Sequence, residues 1–270
     1  MKHILIPTDF SENALKALKY AIKIANKTAA SLTVLHAYHI SQSAGSLMSL
    51  DHIIHEDREQ DMNTLLHGVK PLLANHISIE GIVRNGSPVD MIVQAAEKLE
   101  TDLIMMGSTG AGAMKKMFIG STASNIIKNT NKAVLTIPAN YEGETLKNIS
   151  LSLDNKALEN NSILLPLFDL IKINEDVKLN LLTVSIEDQD NTGIDEDLLM
   201  YIEDQKIQFS YSKIIAMSII EGIRGFVREK NTSLLCLVHH NRGWFENIFH
   251  RSVSEDMAHE SRIPILVLRG

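Results

Sequence analysis

The second half of the chain repeats the first half in sequence. Val83–Ile137 aligns with Ile214–Leu268 at a constant offset of 131, without a gap. The start of the chain repeats as well, because Lys2–Asp9 matches Lys147–Asp154. Repetition at this length indicates a duplicated domain rather than one large fold of 270 residues. The short polar stretch 139–146 separates the copies, which we place at residues 1–140 and 146–270.

Within the first copy, short apolar runs alternate with segments of helical periodicity. Ile4–Ile6 is typical of a strand that is buried on both faces, and Ser11 is a candidate N-cap for the helix that follows. Further strands are predicted at 32–35, 77–83, 103–106 and 134–137, with helices ending near Leu73, over 89–99 and over 122–128. Such alternation predicts an α/β fold, in which helices cover a mostly parallel five-stranded sheet, once in each copy.

A glycine-rich stretch follows the fourth predicted strand. Gly107, Gly110 and Gly120 precede a helix that begins near Ser121. Glycines let backbone N–H groups approach an anion closely, and the start of a helix adds unsatisfied N–H donors, so a phosphate chain is the natural ligand. Two better-known phosphate motifs fail, because Ala113 replaces the lysine of a P-loop and Lys115 replaces the last glycine of a dinucleotide fingerprint.

The spacing Gly-x2-Gly-x9-Gly-Ser, together with Pro7-Thr8-Asp9 after the first strand, strongly resembles the universal stress protein family over essentially the whole chain. The resemblance implies two tandem flavodoxin-like (Rossmann-like, HUP-type) domains, the first of which binds ATP or AMP, with Mg²⁺ arriving as the counter-ion of ATP. It implies that Asp9 accepts a hydrogen bond from the ribose or adenine, beside Pro7 and Thr8, and that Ala37 flanks the base. The residues implied for the ribose and phosphates are Met106, Gly107, Ser108, Thr109, Gly110, Gly120, Ser121 and Thr122.

Each of these residues also has an ordinary structural interpretation. The glycines are compatible with tight turns, and Asp9 is compatible with a helix cap. Taken together, the residues favour nucleotide binding by the first copy.

The second copy departs from the glycine pattern. At the offset of 131, Val238, Asn241 and Arg251 replace the three glycines, while Ser252 retains the serine. Side chains then stand where backbone would contact phosphate, so we expect that the second copy does not bind ATP, although Asp154 remains. Trp244 and Phe245 in the same stretch would fill the vacated space or form a contact patch.

Other candidate groups have simpler interpretations. His52 and His55 stand beside acidic residues, but a solvated helix face is favoured over a metal site. The histidines at 239, 240, 250 and 259 lack the ligand spacing of a metal centre, and we interpret them as polar loop residues. Lys115 and Lys116 would either meet a γ-phosphate or form a solvated part of the loop.

Composition limits the setting and the partners. A single cysteine, Cys236, is compatible with a reducing, cytoplasmic environment. No uncharged apolar run is long enough to span a membrane. Residues 1–140 carry a formal charge of +1 and residues 141–270 a charge of −8, which argues against a nucleic-acid groove.

Three classes of function remain open after the sequence. A nucleotide-binding, stress-response regulatory protein is favoured over a slow ATP-hydrolysing or phosphotransfer enzyme, since no general base or acidic metal-binding pair accompanies the loop. A nucleotide-free interaction scaffold is the third. By resemblance, the fifth strands of the two copies pair edge to edge in an intramolecular pseudo-dimer, and a homodimer of two chains stays open.

Overall fold

The computed structural model describes residues 1–39, 47–110, 119–142, 145–153, 158, 160–186, 194–239 and 263–269, with the side chains at 47–50 and 239 left out. These residues divide into two compact units, and the boundary lies between Ala139 and Asn140.

The first unit is a five-stranded parallel sheet with helices between the strands. The sheet has the order β3-β2-β1-β4-β5, and all its paired strands are parallel. The elements are β1 (His3–Pro7), α1 (Glu12–Thr28), β2 (Ser31–Tyr38), α2 (Leu47–Val69), a 3₁₀ turn (Lys70–Leu72), β3 (Ile79–Asn85), α3 (Pro88–Lys98), β4 (Leu103–Gly107), α4 (Ser121–Asn129) and β5 (Ala133–Ile137). The α/β prediction is confirmed.

The central strand β1 and the helix after it show why the sequence folds in this way. Ile4, Leu5 and Ile6 are fully buried, as expected of a strand with helices on both faces. Helix α1 begins after Ser11, whose Oγ accepts a hydrogen bond from the N–H of Ala14 at 3.2 Å. The predicted N-cap is therefore confirmed, and it starts α1 just beyond the carboxyl end of β1.

The strand order creates a switch point between β1 and β4. From β1 the chain proceeds through β2 to β3 at one edge, whereas from β4 it proceeds to β5 on the other side. The loops that leave the carboxyl ends of β1 and β4 therefore diverge and leave a crevice, which is where open parallel sheets bind ligands. Asp9 follows β1 and Ser108 follows β4, so both predicted segments of the site meet at this crevice.

The second unit repeats this arrangement in the order β8-β7-β6-β9-β10. Its elements are β6 (Asn148–Leu153), a 3₁₀ turn (Asn161–Leu164), α5 (Leu165–Lys172), β7 (Lys178–Ser185), α6 (Glu196–Asp204), β8 (Phe209–Ile215), α7 (Ile219–Glu229), β9 (Leu234–His239) and β10 (Ile265–Arg269). Its paired strands are parallel as well.

The residue pairing of the strands also repeats. Gly107 pairs with Ile137 in the first unit, and Val238 pairs with Leu268 in the second, each residue displaced by 131. The matched starts of the copies agree too, since Ile4 pairs with Leu103 and Ile149 with Leu234. The repeat seen in the sequence is therefore a repeat of strand register.

The gapless alignment is wrong by one residue at the third strand. Two residues separate β3 from α3, whereas three separate β8 from α7. Gly86 and Ala216 donate equivalent hydrogen bonds to Tyr38 and Ser185, so the extra residue is Met217, which is 93% exposed. The predicted third strand at 77–83 also lies two residues early, because β3 extends through polar residues at an edge where one face is solvated.

Candidate functional site

The crevice between β1 and β4 brings Asp9 and Gly110 together. A Cβ placed on Gly110 would lie 2.8 Å from Oδ2 of Asp9, so the backbone of the glycine lies directly against the carboxylate. The contact joins the two segments that the sequence singled out independently. A side chain at position 110 would have to displace the Asp9 carboxylate.

Local hydrogen bonds hold the turn that presents Asp9. Oδ1 of Asp9 accepts a hydrogen bond from the N–H of Ser11 at 3.0 Å, and Oγ1 of Thr8 accepts one from the N–H of Phe10 at 3.0 Å. Phe10 adopts a left-handed conformation with φ of 61°. Thr8 is buried while Asp9 is exposed, so the turn fixes a carboxylate at the surface of the crevice.

Two of the three glycines also have structural reasons within the protein. A Cβ on Gly107 would lie 2.7 Å from Nδ2 of Asn13, and a Cβ on Gly120 would lie 3.3 Å from the carbonyl oxygen of Ser108. The N–H of Gly120 donates to that same carbonyl at 2.6 Å, while the N–H of Ser108 donates to the carbonyl of Ile137. Close backbone packing therefore accounts for part of the glycine spacing and shapes the loop.

The start of α4 supplies N–H groups without a side-chain cap. Its N-cap is Gly120, which has no side chain to accept from the first turn. Ser121 and Thr122 are exposed at the first two helical positions. A Cβ on Gly120 would be 4.0 Å from the backbone nitrogen of Gly110, so the loop lies beside this helix start. The partial positive charge of an uncapped helix start favours an anion here.

The remaining predicted residues lie on the same edge of the sheet. Pro7 is the buried last residue of β1, and Ala37 is the half-buried penultimate residue of β2. Met106 is buried in β4, and Thr109 is half-buried in the loop that follows.

Sequence reasoning missed His36, which packs behind Thr8. Its Nδ1 lies 2.8 Å from the carbonyl oxygen of Thr8. Because a carbonyl only accepts, Nδ1 carries the proton and donates, which leaves Nε2 as an acceptor in the neutral ring. The His36 and Phe10 rings have centroids 4.4 Å apart. A lone histidine in an apolar strand gives no signal of this role in the sequence.

A group of hydrogen-bonded polar side chains joins the ends of β2 and β3 to α2. The Tyr38 hydroxyl donates to Oδ1 of Asp51 at 3.1 Å, and Nδ2 of Asn85 donates to the same oxygen at 2.9 Å. Desolvation by burial and the hydrogen bond to Asp51 raise the pKa of Tyr38. The group ties α2 to the ends of β2 and β3 next to Ala37.

Sequence reasoning also missed Asn13, in the first turn of α1. Asn13 is 8% exposed, and its Nδ2 donates to the carbonyl oxygen of Thr109 at 2.8 Å. Its Oδ1 is buried and has no hydrogen-bond partner among the described residues. The sequence offers only a weak signal of this contact. Asn13 lies two residues after Ser11 on the buried face of α1, where polar side chains are commonly hydrogen-bonded.

Several predicted features lie outside the described residues. They include Gly112, Lys115 and Lys116 in the glycine-rich stretch, and Asp154, Asn241, Trp244, Phe245, Arg251 and Ser252 in the second copy, as well as the histidines at 240, 250 and 259.

The histidines of α2 pair with acidic neighbours. His52 lies 3.4 Å from Glu56 and His55 lies 3.3 Å from Glu59, each four residues apart on an exposed helix face. Among the described residues, no group of three or more metal-ligating side chains converges. In the same part of the chain, no helix is long and apolar enough to cross a membrane.

Comparison with known proteins gives consistent matches. The family model described as "Universal stress protein family" matches residues 1–138. A universal stress protein of Methanocaldococcus jannaschii is 32% identical over 142 residues, covering 50% of this chain and 81% of that protein. Another from the same organism is 30% identical over 152 residues, covering 50% of this chain and 94% of that protein.

A solved structure extends the comparison to both halves. A universal stress protein from Archaeoglobus fulgidus matches with a TM-score of 0.73 and 20% identity, covering 99% of this chain and 96% of that chain. At this identity, the likeness shows the fold of both copies.

Proposed function

Because the chain belongs to the universal stress protein family, we propose that its first domain, residues 1–140, binds an adenine nucleotide, ATP or AMP, and that the bound nucleotide regulates the protein. The observation that carries this proposal is the convergence of the Asp9 carboxylate, the Gly110 backbone and the uncapped start of α4 at one crevice. A carboxylate beside N–H donors suits a ligand that has hydroxyl groups at one end and phosphate at the other.

The proposed roles follow from the chemistry of each group. Asp9, with Pro7 and Thr8, would receive a ribose hydroxyl or an adenine N–H, and Ala37 would flank the base. The loop and the start of α4 would hold ribose and phosphates through backbone N–H groups and hydroxyls, with Mg²⁺ carried by ATP. The residues proposed for this are Met106, Gly107, Ser108, Thr109, Gly110, Gly120, Ser121 and Thr122.

The geometry favours binding and regulation over turnover. Hydrolysis needs a base that is free to orient water, but Asp9, the carboxylate described at this crevice, is the group proposed to receive the ribose or adenine. Around the described loop, the hydrogen bonds that fix the backbone join N–H and carbonyl groups and the amide of Asn13, and these groups are not general bases.

We further propose that the second domain, residues 146–270, has lost this site. Val238 takes the place of Gly107 in the same strand register and is fully buried. In the first domain, a Cβ at this position would lie 2.7 Å from Nδ2 of Asn13.

A pair of glycine variants tests the proposal. Gly110→Ala puts a methyl group 2.8 Å from Oδ2 of Asp9, so the carboxylate must move. We expect nucleotide affinity to fall at least tenfold by calorimetric titration with ATP and with AMP, while the fold persists because the displaced atom ends a side chain. Gly68→Ala is the matched control, since a Cβ there meets nothing within 4 Å, and it should bind as the wild type does.

Native mass spectrometry of the purified protein supplies a second measurement. We expect a co-purifying adenine nucleotide or saturable binding on titration. Absence of both in the wild type overturns the proposed function in favour of a nucleotide-free scaffold. Full binding by Gly110→Ala would overturn the assignment of the site.

A further inference from the structure

The buried side chain of Asn13 is paired at one end only. Nδ2 donates to the carbonyl oxygen of Thr109, 96 residues away in the chain, while Oδ1 has no partner in the part of the chain that the structure describes. A buried acceptor without a donor is unfavourable for folding, and an apolar side chain of similar size would avoid it. Asparagine at this position is therefore explained by the bond to Thr109 rather than by the packing of α1.

The second copy lacks the glycine that accommodates Asn13. In the first copy Asn13 and Gly107 touch, because a Cβ on Gly107 would lie 2.7 Å from Nδ2 of Asn13. Val238 takes the place of Gly107 in the strand register of the second copy. The glycine and the buried asparagine therefore occur together in the first copy, whereas the second copy has a buried apolar side chain at the position of the glycine.

The bond to Thr109 fixes the direction of the next N–H group. In a planar trans peptide, the carbonyl and the following N–H point in opposite directions. Because the Thr109 carbonyl is directed at Asn13, the N–H of Gly110 is directed away from it. The Gly110 nitrogen lies 4.0 Å from a Cβ position on Gly120, at the uncapped start of α4.

We propose that Asn13 is a positioning residue for the phosphate groups of the bound nucleotide. By holding the Thr109–Gly110 peptide, Asn13 keeps the Gly110 N–H aligned with the N–H groups at the start of α4. The donors are then oriented before the anion arrives, and binding does not have to order them. This inference rests on the proposed nucleotide site and adds a residue outside the glycine motif.

The first test compares two asparagines of the same helix. Asn13→Leu replaces the amide with an apolar side chain of similar size, which removes the donor to Thr109. Asn26→Leu is the matched control, because Asn26 lies in the same helix and also hydrogen-bonds to backbone: its Nδ2 donates to the carbonyl of Leu72 at 2.9 Å, and its Oδ1 accepts from the N–H of Ala74 at 3.0 Å. Titration uses ATP, AMP and adenosine on the full chain, with urea unfolding of each variant alongside.

We expect Asn13→Leu to weaken ATP and AMP binding about tenfold, which is the size of effect of one hydrogen bond. Adenosine binding should stay within about twofold of wild type, since adenosine has no phosphate to meet the Gly110 N–H. Asn26→Leu should lose stability and bind all three ligands as wild type does. Equal losses for ATP and adenosine, or no loss for either, would overturn the proposal.

The second test uses an isosteric variant with a titratable group. Asn13→Asp at neutral pH puts a carboxylate without a donor against the Thr109 carbonyl, whereas the protonated acid regains an O–H donor. The deficit in AMP affinity relative to wild type should therefore shrink as the pH is lowered from about 8 to about 5.

A constant deficit across this range would contradict a donor role for position 13. This measurement decides the question even if Asn13→Leu fails to fold. If the wild type itself binds no nucleotide, the proposed function fails; if the wild type binds and both variants match it, only the role of Asn13 fails.

Discussion

A methyl group at position 107 should break the contact between β4 and α1. In Gly107→Ala, the new Cβ would lie 2.7 Å from Nδ2 and 2.9 Å from Cγ of Asn13, and 3.2 Å from the backbone carbonyl carbon of Asn13. Ordinary contacts of this kind are about 3.5 Å or longer. The side chain of Asn13 must retreat by about 1 Å, which takes its Nδ2 beyond hydrogen-bond distance of Thr109.

The expected cost follows from the separate effects. Overpacking of a closely packed site costs about 1–3 kcal/mol, and the lost hydrogen bond adds about 1 kcal/mol. Replacing glycine with alanine in a strand offsets about 0.5–1 kcal/mol of this through the unfolded chain. We therefore expect Gly107→Ala to lower the free energy of unfolding by about 2 kcal/mol. In an Asn13→Ala background the clash with the side chain is gone, so the same change should cost about 1 kcal/mol less.

Urea unfolding of the full chain, followed by circular dichroism, measures these differences. Hydrogen exchange read by mass spectrometry assigns the loss to α1 and β4 rather than to the second unit. Gly68→Ala is the control for a glycine without neighbours within 4 Å. If Gly107→Ala is as stable as wild type, or if its cost is the same with and without the Asn13 side chain, the contact does not constrain position 107 and the reasoning is refuted.

Two further predictions test other parts of the fold. In α7, Gly222→Ala should destabilise the protein by about 1–3 kcal/mol, because its Cβ would lie 2.5 Å from Cγ1 of Val184, whose β-branched side chain cannot easily move. Gly225→Ala, whose Cβ would meet no atom within 4 Å, should instead stabilise it by about 0.5–1 kcal/mol. Urea unfolding measures both variants, and equal effects would contradict this prediction. At the amino end of the central strand β1, desolvation by burial lowers the pKa of His3 from 6.5, although Glu80 and Asp102 act to raise it. The unfolded state then binds more protons, so stability relative to a His3→Gln variant should fall as the pH drops below about 6.5 and level off below the folded pKa; a rise on acidification would contradict the sign.

The fold could be predicted from the sequence because its signals are local and occur twice. The buried run Ile4–Ile6 and the cap at Ser11 are patterns of residues close together in the chain, and the glycines after β4 form a recognisable spacing within one short segment. Repetition then distinguishes a real pattern from a chance one, since Gly107 and Val238 occupy the same register in two sheets. The error at the third strand arose where one exposed residue, Met217, changes the connection without changing the strands.

The inner side of the candidate site could not be predicted in the same way. Asn13 contacts a loop 96 residues away, and His36 bonds Thr8, which follows the neighbouring strand β1. Such contacts depend on how β1, β2 and β4 are arranged in the sheet, and residue type alone does not reveal them. Asp9 and Gly110 were found separately, but only the sheet order shows that the carboxylate and the glycine touch.

The two copies together separate what the fold requires from what a ligand site requires. Both copies keep the strand order and the pairing of their fourth and fifth strands, so Gly107 is not needed for the sheet itself. Val238 is fully buried at the equivalent place, so the fold of the second copy accepts a large side chain there. The sheet therefore does not by itself provide an explanation for the contact between Gly107 and Asn13 in the first copy. An anion held by the loop supplies one, and the net charges of +1 and −8 in the two halves have the sign expected if only the first copy receives a phosphate.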